Sequence, residues 1–191
     1  MMDAQQQKKI SKFLSLVLRH KPETIGLTPD AAGWVSINQL LQGLAAHGRP
    51  LVFEELAFIV EHNDKRRFEF DVHCERIRAS QGHSIPVDLG YTAEIPPAIL
   101  FHGTTERFVN SIRTSGLQKQ SRHHVHLHED VTVARQVGQR RGAVVIFQVD
   151  AATMSAAGIE FYRSTNDVWL VDSVPPEYLQ LADPFSDGIS E

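Results

Sequence analysis

Apolar residues in the first sixty positions recur at helical spacing. Ile10, Phe13, Leu14, Val17 and Leu18 fall on one side of a helix predicted over 8–20, and Lys8, Lys9 and Lys12 lie off that side. Pro22 ends it, because proline disfavours helix at the residue before it. Arg19, His20 and Lys21 therefore gather at a helix C-terminus, where cations also complement the dipole. A second helix is predicted over 37–47, with Ser36 as N-cap and Gly48 and Pro50 beyond its end. A third, over 53–62, carries Leu56, Ile59 and Val60 on one side. Two short strands follow, 67–70 and 75–78, around a turn at 71–74. Three helices and a hairpin form a winged-helix pattern, a common nucleic-acid-binding architecture. Lys65, Arg66, Arg67, Arg76 and Arg78 crowd that hairpin.

The stretch 86–97 holds Pro86, Gly90, Pro96 and Pro97 and no helical period, and reads as a linker between a lobe at 1–85 and another at 98–182. In the second lobe strands alternate with short helices. A strand over 98–102 runs into Gly103-Thr104-Thr105. A helix over 106–115 follows, with Phe108, Val109 and Ile112 apolar and Gly116 at its end. Another over 131–140 carries Val133, Ala134 and Val137. The nearly continuous apolar run 143–149 predicts a strand central in its sheet. Further strands, 160–163 and 168–171, flank a turn at 164–167. Residues 183–191 read as a flexible tail. The fold class is α+β.

One segment has an unusual polar pattern. Read as a strand, Ser121-Arg122-His123-His124-Val125-His126-Leu127-His128 puts Arg122, His124, His126 and His128 on one face. Val125 and Leu127 anchor the other. A face so polar suits a site that holds phosphate or moves protons, or a solvated edge strand. Zinc fits less well: Cys74 is the sole cysteine, no Cys-x-x-Cys pair occurs, and Arg122 would repel a dication.

The single cysteine excludes an internal disulfide and fits a reducing compartment. No run of 18 apolar residues and no signal-peptide core occurs, so a cytoplasmic protein without a membrane span is expected. The net charge of −4 is uneven: residues 1–85 balance at +1, with 11 Lys/Arg against 10 Asp/Glu, and the rest at −5. That argues against indiscriminate nucleic-acid binding but allows locally focused phosphate contacts.

No Gly-x-Gly-x-x-Gly, P-loop or His-Glu-x-x-His motif is present. Four polar clusters remain: Arg19-His20, Arg78 with Gln81-Gly82-His83, His102-Gly103-Thr104, and Arg122 through His128. Three pair arginine, which grips phosphate with a fixed fork, with histidine, which transfers protons near neutrality. No pair of acidic residues suggests Mg²⁺. On residues alone the conclusion is phosphate chemistry, with nucleic acid as a candidate substrate.

Leu-Arg-His-Lys-Pro, Arg-Ala-Ser-Gln-Gly-His-Ser, Leu-Phe-His-Gly-Thr-Thr and Arg-His-His-Val-His-Leu, in this order, resemble the motifs of NAD-dependent tRNA/RNA 2′-phosphotransferases of the KptA type, over roughly residues 8–180. The resemblance implies a winged-helix RNA lobe followed by an ADP-ribosyltransferase-like split sheet that binds NAD⁺, with the active site in the cleft between. It implies an RNA with an internal 2′-phosphate as partner, of the tRNA splice-junction type. Nicotinamide and ADP-ribose 1″,2″-cyclic phosphate would leave, with no metal required. The family's essential set maps onto Arg19, His20, Arg78 and Arg122. The NAD⁺ set maps onto His102, Gly103, Thr104, Ser111, Gly116 and His126. Val168 falls where many ADP-ribosyltransferases carry a glutamate, a departure that disfavours protein ADP-ribosylation. The roles of His83, His123, His124 and His128 stay open. A monomer is expected. The competing functions are an ADP-ribosyltransferase that caps terminal nucleic-acid phosphates and a non-catalytic RNA-binding module.

Overall fold

A computed structural model describes residues 3–63, 65–139 and 142–182. The chain is mixed α+β and divides into two compact units, Met1–Gly90 and Tyr91–Glu191. The proposed tail at 183–191 lies outside the described residues, as does Arg140, the expected end of one helix.

In the first unit, helix α1 (Ala4–Arg19) begins four residues before the expected start. Asp3 supplies the reason: its carboxylate accepts from the Gln6 N–H at 2.7 Å, and the Gln6 side chain accepts from the Asp3 N–H at 3.3 Å. Such a capping box typically stabilises a helix by ~1 kcal/mol. Helices α2 (Ile37–Ala46) and α3 (Phe53–Glu61) stop one residue short of expectation. Leu14, Val17 and Leu18 of α1 pack with Leu40, Leu44, Leu56 and Ile59 in one core, all fully buried. The strands are β1 (Val35–Ser36), β2 (Phe68–Phe70) and β3 (Arg76–Ala79), ordered β1-β3-β2 and antiparallel.

The hairpin turn is longer than its predicted four residues. Phe70 pairs with Ile77 and Glu69 with Arg78. Asp71 organises the intervening loop, accepting from the N–H groups of Glu75 (2.9 Å) and Arg76 (3.0 Å) and from Arg76 Nε (3.1 Å). The Arg76 backbone bond, foremost among these, holds the Asp71 carboxyl below its ordinary range. Cys74 adopts a left-handed φ of 54° in this loop.

The second unit contains β4 (Ala93–Glu94), β5 (Ile99–Thr105), β6 (Leu117–Gln118), β7 (Val125–Leu127), β8 (Val144–Asp150), β9 (Phe161–Arg163), β10 (Trp169–Val171), β11 (Ser173–Val174) and β12 (Leu179–Leu181). One antiparallel sheet runs β4-β9-β10-β7 and another β12-β8-β5, with a small β11-β6 pair besides. The apolar strand β8 is central, as its composition predicted. The two larger sheets meet where Phe101 bridges His128, through N–H···O bonds of 2.7 and 2.9 Å. Helices α4 (Val109–Ser115), α5 (Val131–Gly138) and α6 (Ala151–Ala156) complete the unit. Among the described residues no helix is long and apolar enough to cross a membrane.

Strand β5 continues through Gly103 to Thr105 rather than turning at Gly103. Helix α5 lies directly against it. A Cβ on Gly103 would sit 1.9 Å from the Ala134 carbonyl oxygen, and one on Gly138 would sit 2.5 Å from a Val144 methyl and 3.1 Å from the Gly103 carbonyl carbon. Backbone therefore packs on backbone, which only glycine permits. We expect Gly103→Ala to force α5 outward and to cost more than ~2 kcal/mol, at the upper end of overpacking penalties. A urea midpoint within error of the wild type would refute this packing account.

Candidate active site

In the first unit, the end of α1 is tied to the segment after β3. The Arg19 carbonyl, left over at the helix terminus, accepts from the N–H groups of Ser84 (2.9 Å) and Ile85 (3.4 Å). His20 Nδ1 lies 2.9 Å from the Ser84 hydroxyl. Arg19 Nη2 donates to the Arg67 carbonyl at 3.3 Å, and the Ser80 N–H donates to the same oxygen at 2.9 Å. Backbone bonds thus bring the Arg19-His20 motif against the Arg78–Ser84 motif. His83 between them is buried, 1% exposed, so it belongs to the packing of this segment.

Arg78 leaves the strand on the face opposite the buried Ile77 and Ala79. Its guanidinium lies over the Trp34 ring at 4.5 Å. Nε donates to the Glu69 carboxylate at 2.6 Å and Nη1 to the Ala32 carbonyl at 3.2 Å. Of five N–H donors, both on Nη2 and one on Nη1 have no partner among the described residues. Sequence reading missed Glu69, Ala32 and Trp34. Glu69 was in principle visible as a residue on a strand facing Arg78; the longer Asp71 loop hid the register.

In the second unit the histidine segment is not one long strand. Only Val125–Leu127 is β7. The Arg122 N–H closes a turn onto the Lys119 carbonyl at 3.1 Å, with Gln120 at a left-handed φ of 56°. Pairing stops at Val125, opposite Val171, because the partner strand β10 ends there. Arg122 and His124 therefore do not share a strand face with His126. Within β7 the expected alternation holds: Val125 and Leu127 are buried and His126 is half-buried.

Arg122 still reaches His126, with Nη1 at 3.0 Å from Nδ1. A guanidinium only donates, so His126 Nδ1 accepts and the neutral ring carries its proton on Nε2. The His126 carbonyl, in turn, lies 3.0 Å from His102 Nδ1. A carbonyl only accepts, so His102 is protonated on Nδ1. Burial foremost pushes the His102 pKa below its usual value of 6.5, and the Arg122 charge acts in the same direction, against the His126 hydrogen bond. The neutral ring then offers a lone pair on Nε2, suited to accept from a sugar hydroxyl. His124 also has a depressed pKa, from burial and then from His123 and Lys119, and its ring stands 5.6 Å from that of Tyr162.

Thr104 is half-buried on β5, and Ser111 is exposed on α4. The missing side chains of Gly103 and Gly116 are accounted for by packing. Gly116 has φ +72°, and a Cβ there would sit 2.0 Å from the Val174 carbonyl oxygen. Thr105 adds a feature absent from the sequence reading: its hydroxyl is buried and has no hydrogen-bond partner among the described residues. Val168 is buried, its N–H bonded to Ser164 Oγ at 3.0 Å. Nearby, Glu129 accepts from Trp169 Nε1 at 2.7 Å, and Arg163 bridges to Asp167 at 3.1 Å. Among the described residues no three His, Cys, Asp or Glu side chains group as a metal site.

Residues 5–173 match the family described as "RNA 2'-phosphotransferase, Tpt1 / KptA family". The chain belongs to this family. It is 52% identical over 180 residues to a "Probable RNA 2'-phosphotransferase" of Trichormus variabilis, covering 94% of this chain and 99% of that one. A protein of the same description from Hahella chejuensis is 51% identical, over 95% of this chain and 97% of its own. One from Pseudomonas fluorescens is 52% identical, over 89% and 94%. As a Tpt1/KptA family member the chain carries all four polar clusters within the matched span.

The depressed pKa of His102 gives a signed expectation. Because the folded ring binds its proton more weakly than the unfolded one, its stabilising contribution is complete above about pH 6.5 and is lost as pH falls through the folded pKa. Nitrogen-resolved NMR of the imidazoles should show His102 neutral, with the proton on Nδ1, at pH 6.5. An imidazolium signature for His102 at that pH would refute the assignment.

Proposed function

We propose that this protein removes the 2′-phosphate from RNA by transferring it to NAD⁺. Support comes first from near-full-length identity of about half to relatives named as RNA 2′-phosphotransferases, and from membership of that family. We read the first unit, with three helices and an antiparallel hairpin sheet, as a winged-helix RNA lobe. The second, with two antiparallel sheets meeting at β5 and β7, we read as an ADP-ribosyltransferase-like split sheet. A cytoplasmic monomer belongs to the same reading.

On this reading Arg19, His20, Arg78 and Arg122 act on the RNA 2′-phosphate. In the first step a phosphate oxygen attacks C1″ of the nicotinamide ribose. The C–N bond breaks and its electron pair leaves with neutral nicotinamide. In the second, the ribose 2″-hydroxyl attacks phosphorus and the bond to the RNA 2′-oxygen breaks. A proton leaves the 2″-hydroxyl and one reaches the departing 2′-oxygen, which yields 2′-OH RNA and ADP-ribose 1″,2″-cyclic phosphate. His20, exposed and beside Ser84 Oγ, is the group suited to those transfers. The arginines supply fixed donors for charge that rearranges around phosphorus. His102, neutral with Nε2 as acceptor, suits a ribose hydroxyl of NAD⁺, with Thr104 on the same strand and Ser111, Gly116 and His126 in the same unit. No metal is needed for either step.

The direct test is incubation with NAD⁺ and a 2′-phosphorylated oligonucleotide, followed by mass spectrometry. Nicotinamide, cyclic phosphate and 2′-OH RNA are expected. An ADP-ribosylated RNA end would favour the capping reading, and unchanged RNA the binding module.

The two steps should also separate. In the first, clamping helps mainly by alignment; in the second, the donors face developing charge, and losing one typically costs about 10²–10³ in rate. Arg78→Ala and Arg122→Ala should therefore slow the second step more, so that ADP-ribosylated RNA accumulates in a single-turnover time course. Lysine at either position should rescue only in part, since a point charge cannot reproduce the fork. Wild-type intermediate levels and rates in both alanine variants would remove these arginines from the site.

A further inference from the structure

The first unit holds a cavity away from the residues assigned above. It has a volume of about 370 Å³ and is lined by Gln6, Lys9, Ile10, Gly48, Arg49, Pro50, Leu51 and Glu55. Ile10, Pro50 and Leu51 make an apolar surface, and Lys9 and Arg49 bring two cations to it. Arg49 is held in place: its guanidinium lies 4.2 Å over the Phe13 ring, and Nη1 donates to the His47 carbonyl at 3.2 Å. The one carboxylate, Glu55, is engaged at its own helix start, where Oε2 accepts from the Val52 N–H at 3.2 Å. The lining thus carries an excess of one positive charge beside an apolar patch, in a volume within the usual range for small-molecule sites. Lys9 and Arg19 lie on the same helix, ten residues or roughly 15 Å apart along its axis.

We propose that this cavity is a subsite for one nucleotide of single-stranded RNA, away from the 2′-phosphate that reacts. The base rests on Ile10, Pro50 and Leu51, and a backbone phosphate meets Lys9 and Arg49. Single strands are bound with little sequence preference by cations that meet the backbone beside a surface that carries the bases, most often aromatic; here Ile10, Pro50 and Leu51 supply that surface, beside Lys9 and the anchored Arg49. The inference rests on RNA being the substrate, and it deepens that reading by extending the recognised strand beyond the reacting nucleotide.

The test is binding of a fluorescent single-stranded RNA of about a dozen nucleotides, without 2′-phosphate, by anisotropy across a salt series. K9E/R49E is compared with K8E/K12E, which changes the charge equally on the helix that carries Lys9, outside the cavity. The cavity variant should bind about fivefold or more weakly, with the salt dependence reduced by roughly 0.7 per lost phosphate contact. The control should change little. Equal weakening in both pairs, or none in either, would overturn the subsite. Lys9→Ala alone, at an exposed helix position that leaves the Phe13–Arg49 contact in place, must weaken binding in the same direction, which guards against misfolding of the double variant. Wild-type removal of a 2′-phosphate is measured separately. Should that activity be absent while the binding difference stands, the 2′-phosphotransferase reading falls and the RNA subsite does not.

Discussion

Backbone contact between β5 and α5 is the constraint on which the second unit depends. With 1.9 Å between a hypothetical Gly103 Cβ and the Ala134 oxygen, helix and strand are as close as main chains can come. Helix α5 begins close by, at the Asp130 cap whose carboxylate takes the Thr132 N–H at 2.6 Å. The residues just before the cap then have little freedom. His128 pairs with Phe101 through two backbone bonds, and the His126 carbonyl falls beside His102 Nδ1. His126 consequently serves two neighbours, holding Arg122 with its ring and His102 with its backbone. A histidine whose tautomer is set by a carbonyl is a dependable acceptor on its other nitrogen, because burial keeps the ring neutral.

The first unit reaches an analogous result through a helix terminus. Carbonyls at the end of α1 need partners, and the Ser84-Ile85 backbone provides them for Arg19. Two motifs separated by more than fifty residues are joined because a structural demand of the helix is met by the loop that follows β3. His20 gains a hydroxyl neighbour from the same contact.

Much of this was legible from periodicity. The buried Leu14, Val17 and Leu18 stripe, the central apolar β8, and the alternation of Val125, His126 and Leu127 all follow from spacing alone. What was not legible depended on side chains that bond locally to backbone. Asp3 extends α1 toward the N-terminus, and Asp71 lengthens the hairpin loop, each by capturing N–H groups that periodicity does not register. The histidine run misled for a related reason. Alternation describes a strand only while a partner strand is present, and β10 runs out at Val171. Arg122 and His126 end up together at i,i+4 across the bend that follows the turn, rather than along a pleat. Gly103 and Gly116 read in the sequence as the end of a strand and of a helix; the close approaches there, of a helix at Gly103 and a carbonyl at Gly116, are set by the tertiary packing.

The three arginines of the proposed phosphate set differ in how they are held, and the differences bear on what each can contribute. Arg78 is braced by Trp34, Glu69 and the Ala32 carbonyl, with its side chain 13% exposed. Fixing such a side chain costs up to about 2 kcal/mol of rotamer freedom, which folding has already met before any anion arrives. The Glu69 carboxylate lowers the net field but aims the uncommitted Nη2 edge. Arg19 uses Nη2 on the Arg67 carbonyl, a neutral acceptor. Arg122 is exposed and is held by an imidazole nitrogen, an acceptor that vanishes when the ring is protonated. Lysine could keep the charge at each position, but it could not stack on Trp34 while meeting two acceptors in a plane. At Arg78, then, the guanidinium shape matters as much as its charge; at Arg122 the His126 ring supplies one of the contacts that orient it.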